Sequence, residues 1–376
     1  MYNILFYSES DTFGGHEKMA VAAHVAIQQR YDCIRIHWLV SERNHYLTDA
    51  LEKAGLSHTA LENAHAYSLW RNPLYALLNI CRNAAAFRRL SPDLIVVVQG
   101  AISLSFGGIL SALIGRMRCC SYIPMVIRIS ETKKYRFPVL ADSLRSILYK
   151  AMSSYITIDE EQAKRLLREN RNASVLVVEN YVPKPQSLDA QRNVKTILGI
   201  PPDRKVLSLI GRIEFSHKCQ DWLLQALKND PFLTDKFVLF VGDGSDMLAL
   251  QALLVPEVRD RFGLIGWKND LREVYAATDV LLIPSKVEGV PLVMLEALSY
   301  RIPVVGTDRD GMRSWLPVEW RFRWGDTEGF KHGIEHALNV TSPDVWDSIA
   351  ERLEQVNDED RFAAQFSQAL IQYCKQ

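Results

Sequence analysis

Short apolar runs of strand length alternate with longer, helix-length segments through the first half of the chain. The apolar runs, rich in β-branched residues, lie at 3–7, 33–39, 93–98, 124–129, 155–158 and 174–178. Helix-length segments separate them, including 15–29 and the strongly apolar stretch 101–115. Strands without polar alternation that are separated by helices are typical of a parallel sheet covered on both faces. The pattern therefore predicts a doubly wound α/β domain over residues 1–184.

The alternation breaks at 181–203, where four prolines occur and no hydrophobic period is visible. Such a segment is typical of a linker between domains, and we place the linker at 185–204. A second alternating series then begins. Its apolar runs lie at 205–211, 236–244, 262–266, 280–285 and 302–307. The sequence predicts a second doubly wound domain over 205–359.

The last segment, 344–376, has a helical pattern. We expect its final part, about 360–376, to return to the first domain. The whole chain is thus predicted to be an α/β protein with two Rossmann-like domains that face a central cleft. Ligands of such domains bind at the carboxyl ends of the strands.

Charge is distributed unevenly between the two predicted domains. The chain has 376 residues, with 44 Lys+Arg and 44 Asp+Glu. Residues 1–183 carry a net charge of +5 and the remainder −5, while 64–150 alone has 12 basic and 3 acidic residues. This basic segment indicates either an anionic partner or simply a solvated basic face. The zero overall charge gives no reason to expect nucleic-acid binding.

The cysteines and the N-terminal residues indicate in which cellular compartment the protein is expected. None of the six cysteines has metal-ligand spacing, and they suggest no disulfide framework. The opening residues read as a strand rather than as a signal peptide, which predicts a cytoplasmic protein with reduced thiols. The stretch 101–115 is short for a membrane span, and we expect a buried helix there.

Two glutamates stand out in the segment 286–308. Glu288 follows the predicted strand that ends at Ser285, and Pro291 suits the first turn of the next helix. Glu296 lies within that apolar helix, where a carboxylate needs either a structural ion pair or a ligand. Backbone N–H groups at the helix start form a natural phosphate site. They belong to the stretch that contains Gly289, Leu292 and Val293. A ribose hydroxyl beside such a phosphate would satisfy Glu296.

Three further stretches carry candidate chemistry. Gly211 and Arg212 follow a predicted strand, and Lys218 precedes a helix. The two cations therefore lie on one loop, where they either bind a diphosphate or are solvated surface residues. Gly14 and Gly15 open the first helix, where a backbone can approach a ligand closely. His16 is then either a ligand-facing donor or a helix-start residue. The turn 241–246, VGDGSD, is either a nucleotide-side turn or a structural turn.

Taken together, these stretches resemble the family 4 retaining glycosyltransferases of GT-B fold. The resemblance rests on the glycine pair after the first strand, the Gly-Arg and Lys loop, the Gly-Asp-Gly turn, and two glutamates separated by seven residues. The residues are Gly14, Gly15, Gly211, Arg212, Lys218, Gly242, Asp243, Gly244, Gly266, Glu288 and Glu296. The second half matches well, and the first half matches only at its first turn.

The resemblance implies a role for each matching residue. Arg212 and Lys218 would bind the diphosphate leaving group, Glu288 would face the donor sugar, and Glu296 the ribose. The glycine pair would approach the phosphates or the sugar from the first domain. The loop after Gly266 would hold the base, and its candidates are Trp267, Lys268 and Leu271.

Three departures from the family pattern affect how these roles carry over to this chain. Cys219 and Pro291 stand where the family often has glycine. A histidine that often ends the strand near 130 is absent, and Ser130 or Arg128 stands there instead. This last change leaves open how the sugar and the acceptor are held, although it does not alter the phosphate site.

The predicted function is a retaining, metal-independent transfer of a hexosyl group, of the kind used in polysaccharide biosynthesis. The donor would be a nucleoside-diphosphate sugar, with uridine expected from family frequency, and the acceptor a saccharide or lipid-linked saccharide. No cofactor is expected. Peripheral contact of the basic segment with an anionic membrane on its inner face is a further expectation. The alternatives are a GT-B sugar-nucleotide epimerase and a non-catalytic sugar-nucleotide-binding module.

Overall fold

The computed structural model describes residues 1–61, 73–128, 130, 138–186, 193–339 and 343–376. These residues form two units, Met1–Tyr181 with Asp358–Gln376, and Val182–Asn357. Residues 187–192 of the predicted linker lie outside the described ranges. So do Lys133 and Lys134, which belong to the basic segment.

The first unit is built on a seven-stranded parallel sheet in the order β3-β2-β1-β4-β5-β6-β7. Its strands are β1 (Tyr2–Ser8), β2 (Ile34–Ser41), β3 (His58–Leu61), β4 (Leu94–Val98), β5 (Cys119–Tyr122), β6 (Ser154–Thr157) and β7 (Ser174–Val177). The helices that follow them are α1 (Gly15–Gln28), α2 (His45–Lys53), α3 (Pro73–Leu90), α4 (Phe106–Gly115), α5 (Pro138–Ala151) and α6 (Glu160–Glu169). The strand order reverses between β1 and β4, so the loops after these neighbours leave in opposite directions.

One predicted strand is misplaced. The sequence pattern predicts a strand at 124–129, but the observed strand is β5, where Cys119 pairs with Ile95 and Tyr122 with Val98. Pro124 has no N–H group and cannot continue a central strand, so pairing ends before it. The polar-looking Cys-Cys-Ser sequence of β5 hides the true strand from a hydrophobicity pattern.

The second unit has a six-stranded parallel sheet in the order β10-β9-β8-β11-β12-β13. Its strands are β8 (Lys205–Ile210), β9 (Lys236–Val241), β10 (Phe262–Leu264), β11 (Val280–Ile283), β12 (Val304–Thr307) and β13 (Arg321–Phe322). Its helices are α7 (Val194–Ile197), α8 (Gln220–Leu227), α9 (Met247–Leu253), α10 (Arg272–Ala277), α11 (Leu292–Ser299), α12 (Asp310–Trp315), α13 (Thr327–Leu338) and α14 (Pro343–Val356). Short 3₁₀ segments occur at Pro231–Leu233, Pro256–Val258 and Val318–Trp320. Here the order reverses between β8 and β11.

The helical C-terminal segment is divided between the two units. Helix α14 ends at Val356, and Asp358 begins the last helix, α15 (Glu359–Lys375), by accepting a hydrogen bond from the Arg361 N–H at 2.9 Å. Helix α15 packs on α1 of the first unit. Its Tyr373 hydroxyl donates to the Tyr155 carbonyl at 2.8 Å. A single helical pattern in the sequence thus covers two helices.

The central strands of both sheets are apolar on both sides, as a parallel sheet covered by helices requires. Strand β4 is buried along its whole length, and so is β9. The pattern of two doubly wound α/β sheets predicted from the sequence is confirmed. Within the described residues, no helix is both long enough and apolar enough to cross a bilayer.

A buried carboxylate lies just after β1 and was not singled out by the sequence pattern. Glu9 is 3% exposed, and its Oε2 accepts hydrogen bonds from the Tyr7 hydroxyl at 3.1 Å and the Gly108 N–H at 3.2 Å. Asn83 donates in turn to the Tyr7 hydroxyl at 2.8 Å. Burial raises the pKa of Glu9 to about 7, although Tyr7 and the N–H groups at the start of α4 act in the opposite direction.

Glu9→Gln should stabilise the protein at alkaline pH. The raised pKa means that the folded state binds the Glu9 proton better than the unfolded state, so this stabilisation is lost as pH rises towards 7. The amide keeps a neutral acceptor for Gly108, and we expect a gain of about 1–3 kcal/mol in unfolding free energy at pH 8 and a smaller difference at pH 5. Chemical denaturation at both pH values measures it. The exposed Glu42→Gln serves as control, and a less stable Glu9→Gln at pH 8 would contradict the prediction.

Candidate functional site

The candidate site lies where the strand order of the second sheet reverses. Strands β8 and β11 are neighbours, and β9 and β12 flank them on opposite sides. The loop 211–219 follows β8, and the loop 284–291 follows β11. Loops that diverge from adjacent parallel strands leave a crevice at the carboxyl edge, which is the usual ligand position in open α/β sheets. The topology therefore brings the two halves of the predicted site together.

A buried ion pair joins these two loops. Lys218 Nζ lies 2.5 Å from Glu288 Oε1, and the exposed fractions of the two side chains are 15% and 8%. Burial alone would raise the pKa of Glu288, but the charge of Lys218 and its hydrogen bond hold that pKa below its ordinary value. Glu288 is therefore a carboxylate at neutral pH.

His217 locks the same two loops together and was missed by the sequence analysis. Its Nε2–H donates to the Val287 carbonyl at 2.6 Å, and its own carbonyl accepts from the Lys286 N–H at 2.9 Å. Burial lowers the pKa of His217, and the neighbouring Lys218 and Arg212 lower it further, although Glu288 opposes them. A neutral imidazole thus holds the backbone beside Glu288. Its sequence signal was only its position next to Lys218.

Arg212 shares the loop with Lys218 and is more open to solvent. Its side chain is 42% exposed, and Nη2 lies 3.8 Å from Glu214 Oε2. The Arg212 carbonyl accepts a hydrogen bond from Gln220 Nε2 at 2.8 Å, which ties the loop to the start of α8. The backbone at Arg212 is therefore held, while its guanidinium remains accessible to an anion.

The Gly-Asp-Gly turn after β9 supports this loop. Gly242 has φ +143°, and a Cβ there would lie 1.9 Å from the Gly211 carbonyl oxygen. The Asp243 carbonyl accepts from the Ile213 N–H at 2.9 Å, and Asp246 Oδ2 accepts from the Phe215 N–H at 2.8 Å. These contacts favour the structural interpretation of the turn over direct nucleotide contact. The turn fixes the position of the backbone that carries Arg212.

The start of α11 supplies backbone donors at the same edge. Pro291 precedes the helix, and the N–H groups of Leu292 and Val293 lie in its first turn, where no carbonyl of the preceding turn can pair with them. The Gly289 carbonyl accepts from the Gly311 N–H at 3.0 Å. Asp310, itself 3% exposed, lies 3.5 Å from the Glu288 N–H. The loop before α11 is thus held from a third strand end, the one that follows β12.

Glu296 has a structural partner of an unexpected kind. The Tyr275 hydroxyl donates to Glu296 Oε2 at 2.6 Å, and Tyr275 stacks on Tyr300 with a centroid distance of 5.1 Å. Glu296 is half-buried rather than enclosed in the helix core. The tyrosine hydroxyl gives the carboxylate a structural hydrogen bond, and the ribose role of Glu296 stays a prediction.

The loop expected to hold a base follows β10 at the same edge of the sheet. Gly266 accepts a hydrogen bond from the Gly242 N–H at 2.8 Å, which links this loop to the supporting turn. Trp267 is 40% exposed, and its Nε1–H donates to Asn269 Oδ1 at 3.0 Å. Lys268 is exposed, and Leu271 is half-buried directly before α10. The base-binding role of these residues stays a prediction.

The remaining candidates belong to the first unit. Gly14 is the N-cap of α1, Gly15 its first residue, and His16 the second. Arg128 forms an ion pair with Glu169 at 2.7 Å, and the Ser130 N–H donates to Asp142 Oδ2 at 3.1 Å. The glycine pair and His16 thus lie at the carboxyl end of β1. Arg128 and Ser130 contact α6 and α5 respectively.

Comparison with known proteins follows the division between the units. Residues 204–339 match the family model described as glycosyl transferases group 1. The chain is 31% identical over 181 residues to UDP-Gal:alpha-D-GlcNAc-diphosphoundecaprenol alpha-1,3-galactosyltransferase of Escherichia coli, covering 43% of this chain and 46% of the relative. It is 27% identical over 163 residues to TuaC of Bacillus subtilis, a putative teichuronic acid biosynthesis glycosyltransferase, covering 41% and 38%. The chain thus spans less than half the length of these relatives.

Solved structures match nearly the whole chain. Anabaena HepE in complex with UDP-glucose aligns with a TM-score of 0.79 and 16% identity over 99% of this chain and 100% of that one. WaaG, a glycosyltransferase involved in lipopolysaccharide biosynthesis, aligns with a TM-score of 0.69 and 17% identity over 98% and 99%. At these identities the likeness establishes the fold. The predicted GT-B fold and the resemblance to family 4 glycosyltransferases are confirmed.

His217→Ala should destabilise the second unit. The substitution leaves the buried Val287 carbonyl without its donor, which removes about 1–3 kcal/mol of unfolding free energy. Because the pKa of His217 is lowered in the folded state, its protonation opposes folding, so the stabilisation is present above pH 6.5 and declines on acidification. The deficit of the variant should therefore shrink at pH 5.

Denaturation at pH 7.5 and pH 5 measures this difference. His332→Ala removes an exposed histidine of α13 and serves as the matched control, with no change expected at either pH. A His217→Ala deficit that grows at pH 5 would show that the folded state favours the charged imidazole, contrary to its surroundings.

Proposed function

We propose that this chain, a group 1-type glycosyltransferase with the GT-B fold, transfers a hexosyl group from a UDP-sugar to a saccharide or lipid-linked saccharide acceptor. In this proposal the anomeric configuration is retained and no metal is needed. The observation that carries the proposal is the meeting of Lys218 and Glu288 at the reversal point of the second sheet.

The charges around this point suit the departure of a nucleoside diphosphate. Negative charge develops on the leaving phosphate, while positive charge develops on the sugar ring. Arg212 presents a planar fork and Lys218 a compact ammonium group, and both suit phosphate oxygens. The N–H groups at the start of α11 add donors at a positive helix end. In our proposal these groups bind the diphosphate.

In the proposal, Glu288 stabilises positive charge on the sugar, whereas the groups above stabilise negative charge on the diphosphate. Its lowered pKa keeps it a carboxylate at neutral pH, so it can stabilise a positively charged, oxocarbenium-like ring. Lys218 has three N–H donors, so it can hold Glu288 and still offer a hydrogen to a phosphate oxygen. The ion pair would then place the carboxylate beside the sugar and the ammonium beside the leaving group.

The identity of the donor and acceptor is inferred from relatives. A structural neighbour was solved with UDP-glucose, which favours uridine. The Escherichia coli relative is named for transfer from UDP-Gal to a diphosphoundecaprenol-linked GlcNAc, which favours a lipid-linked saccharide acceptor. Metal independence is proposed because the cations of the protein can neutralise the diphosphate.

The first unit has a surface suited to such an acceptor, and we include peripheral membrane contact in the proposal. Helices α3, α4 and α5 pack on a common buried core with Phe87, Ile109 and Tyr149. Their outer sides nevertheless expose large apolar side chains. These are Leu74, Leu77, Leu78, Leu113, Ile114, Val139, Leu140, Leu144 and Ile147. Exposed arginines accompany them at Arg82, Arg88, Arg89, Arg116 and Arg118. Apolar side chains among basic ones suit an anionic bilayer surface.

Lys218→Ala should weaken UDP binding about 10- to 100-fold, the equivalent of about 1.5–3 kcal/mol for a hydrogen bond to a charged group. Isothermal titration with UDP and with uridine measures it. Uridine, which lacks phosphates, should bind variant and parent alike. Lys228→Ala removes an exposed lysine after α8 and is the matched control. Equal losses for UDP and uridine would place Lys218 outside the phosphate site.

Glu288→Gln should keep UDP affinity nearly intact while transfer falls about 10²- to 10³-fold, because the carboxylate acts only when the ring becomes positive. Parent and variant are incubated with UDP-glucose, UDP-galactose and UDP-N-acetylglucosamine, and UDP release and sugar products are followed. Near-parent activity of the variant would remove Glu288 from the reaction. Epimerised nucleotide sugar, or binding without turnover by the parent, would identify the two alternative functions.

Vesicle binding tests the membrane surface. The parent should sediment with vesicles that contain phosphatidylglycerol more than with neutral phosphatidylcholine vesicles, and rising salt should weaken this binding. Arg116→Glu with Arg118→Glu should reduce it at least about tenfold, since each basic residue contributes about 1 kcal/mol near an anionic surface. Lys228→Glu on the second unit is the matched control. Binding that ignores lipid charge would leave a solvated basic face and a soluble acceptor.

A further inference from the structure

A second buried carboxylate occupies the carboxyl end of β1 and has no role in the proposed donor site. Glu17, in the first turn of α1, has a side chain that is 0% exposed. Its Oε2 accepts a hydrogen bond from the Gly14 N–H at 2.8 Å, which supplies the carboxylate half of a capping box at the helix start. Its Oε1 accepts a weak hydrogen bond from the Ser8 hydroxyl at 3.4 Å and lies 2.9 Å from His16 Nε2. One oxygen therefore serves the helix cap, and the other faces the imidazole.

The ring of His16 is confined at the reversal point of the first sheet. A Cβ added to Gly100, just after β4, would lie 3.0 Å from His16 Cε1. A Cβ added to Gly14 would lie 3.2 Å from His16 Nδ1. The ring thus lies beside the backbone of the loops that follow β1 and β4, the neighbours between which the strand order changes. This is the place where a doubly wound sheet presents groups to a ligand.

The contact between Glu17 and His16 is electrostatic rather than an aligned hydrogen bond. His16 Nε2 is enclosed and has no hydrogen-bond partner with full geometry, although Glu17 Oε1 is 2.9 Å away. A carboxylate at this distance favours a proton on Nε2, and the ring then accepts hydrogen bonds through Nδ1. A sugar hydroxyl is a donor that such a nitrogen can take.

We propose that Glu17 is a positioning residue that fixes the orientation of His16, so that the imidazole binds a hydroxyl of the saccharide substrate. The inference rests on the proposed glycosyl transfer and assigns a role to the first unit within it. Helix capping alone does not account for the arrangement, because a capping box needs only one oxygen and accepts Gln as readily as Glu. The second oxygen, turned to the imidazole, is what requires a carboxylate.

The substitutions Glu17→Gln and Glu17→Ala separate these two roles. Glu17→Gln keeps the cap, so its melting temperature should stay within about 2 °C of the parent, whereas Glu17→Ala should melt lower. With the UDP-sugar that the parent turns over best among UDP-glucose, UDP-galactose and UDP-N-acetylglucosamine, Glu17→Gln should lose at least about tenfold in kcat. Its Kd for UDP should not change, since UDP carries no transferred sugar. Glu42→Gln is the exposed control. Parent-like kcat in Glu17→Gln would overturn the proposal.

A double-mutant cycle tests whether Glu17 acts through His16. In a His16→Ala background, Glu17→Gln should cause no further loss of kcat, because the group that it positions is gone. Losses that multiply independently would overturn the proposal and leave Glu17 as a cap only. Gly100→Ala, which places a methyl group against the imidazole, should reduce kcat in the parent but not in the His16→Ala background.

A readout independent of turnover keeps this inference distinct from the proposed function. Long-range ¹H–¹⁵N spectra of ¹⁵N-histidine-labelled protein report which ring nitrogen carries the proton, and His16→Ala identifies the His16 signals. The parent should show the Nε2–H form, and Glu17→Gln should shift this pattern. An unchanged pattern overturns the positioning role. If the parent binds UDP but turns over no sugar nucleotide while the spectra change as expected, the transferase proposal fails and the positioning of His16 stands.

Discussion

Glu288, a carboxylate buried in the loop after β11, stays ionised because Lys218 reaches it, and this contact joins the loops that follow β8 and β11. Lys218 meets Glu288 at 2.5 Å across a sequence separation of 70 residues. Neutral His217 holds the backbone just before Glu288 through its side chain and its carbonyl. Breaking such a pair leaves an uncompensated buried charge, which is strongly destabilising. The geometry of the proposed reaction site and the stability of the second unit therefore depend on the same contacts.

The two sheets solve the problem of a buried carboxylate in opposite ways. Glu288 has a lysine beside it, and its pKa is lowered. Glu9, after the first strand of the other sheet, has a tyrosine hydroxyl and backbone N–H groups but no cation in its described contacts, and its pKa rises to about 7. Hydrogen bonds to neutral donors offset part of the desolvation, whereas a full charge at close range outweighs it. Glu288 therefore suits the stabilisation of positive charge, and Glu9 suits a structural link to the start of α4.

Close backbone contact sets the precision of the second site. Gly242 lies so near the Gly211 carbonyl that no side chain fits, and the same turn binds the backbone at Ile213. Charged side chains such as Arg212 are long and mobile, so their placement depends on the backbone from which they extend. The first unit follows the same principle on a smaller scale, where Gly14 and Gly100 leave room for the ring of His16. In both sheets the glycines at strand ends position a polar side chain.

The sequence by itself determined the two doubly wound sheets, because strands buried on both faces must be apolar along their whole length. It also marked Lys218 and Glu288, since loop cations and an acidic residue before an apolar helix stand out locally. It placed one strand at 124–129 instead of Cys119–Tyr122, because pairing with β4 decides register and hydrophobicity does not. Only the tertiary structure decided the roles of His217, Tyr275 and Glu17. His217 donates to a backbone carbonyl 70 residues away, and Tyr275 donates to a carboxylate on another helix. Glu17 faces an imidazole that Gly100 confines. A local pattern records what each residue is, whereas contacts between distant segments depend on how the chain folds.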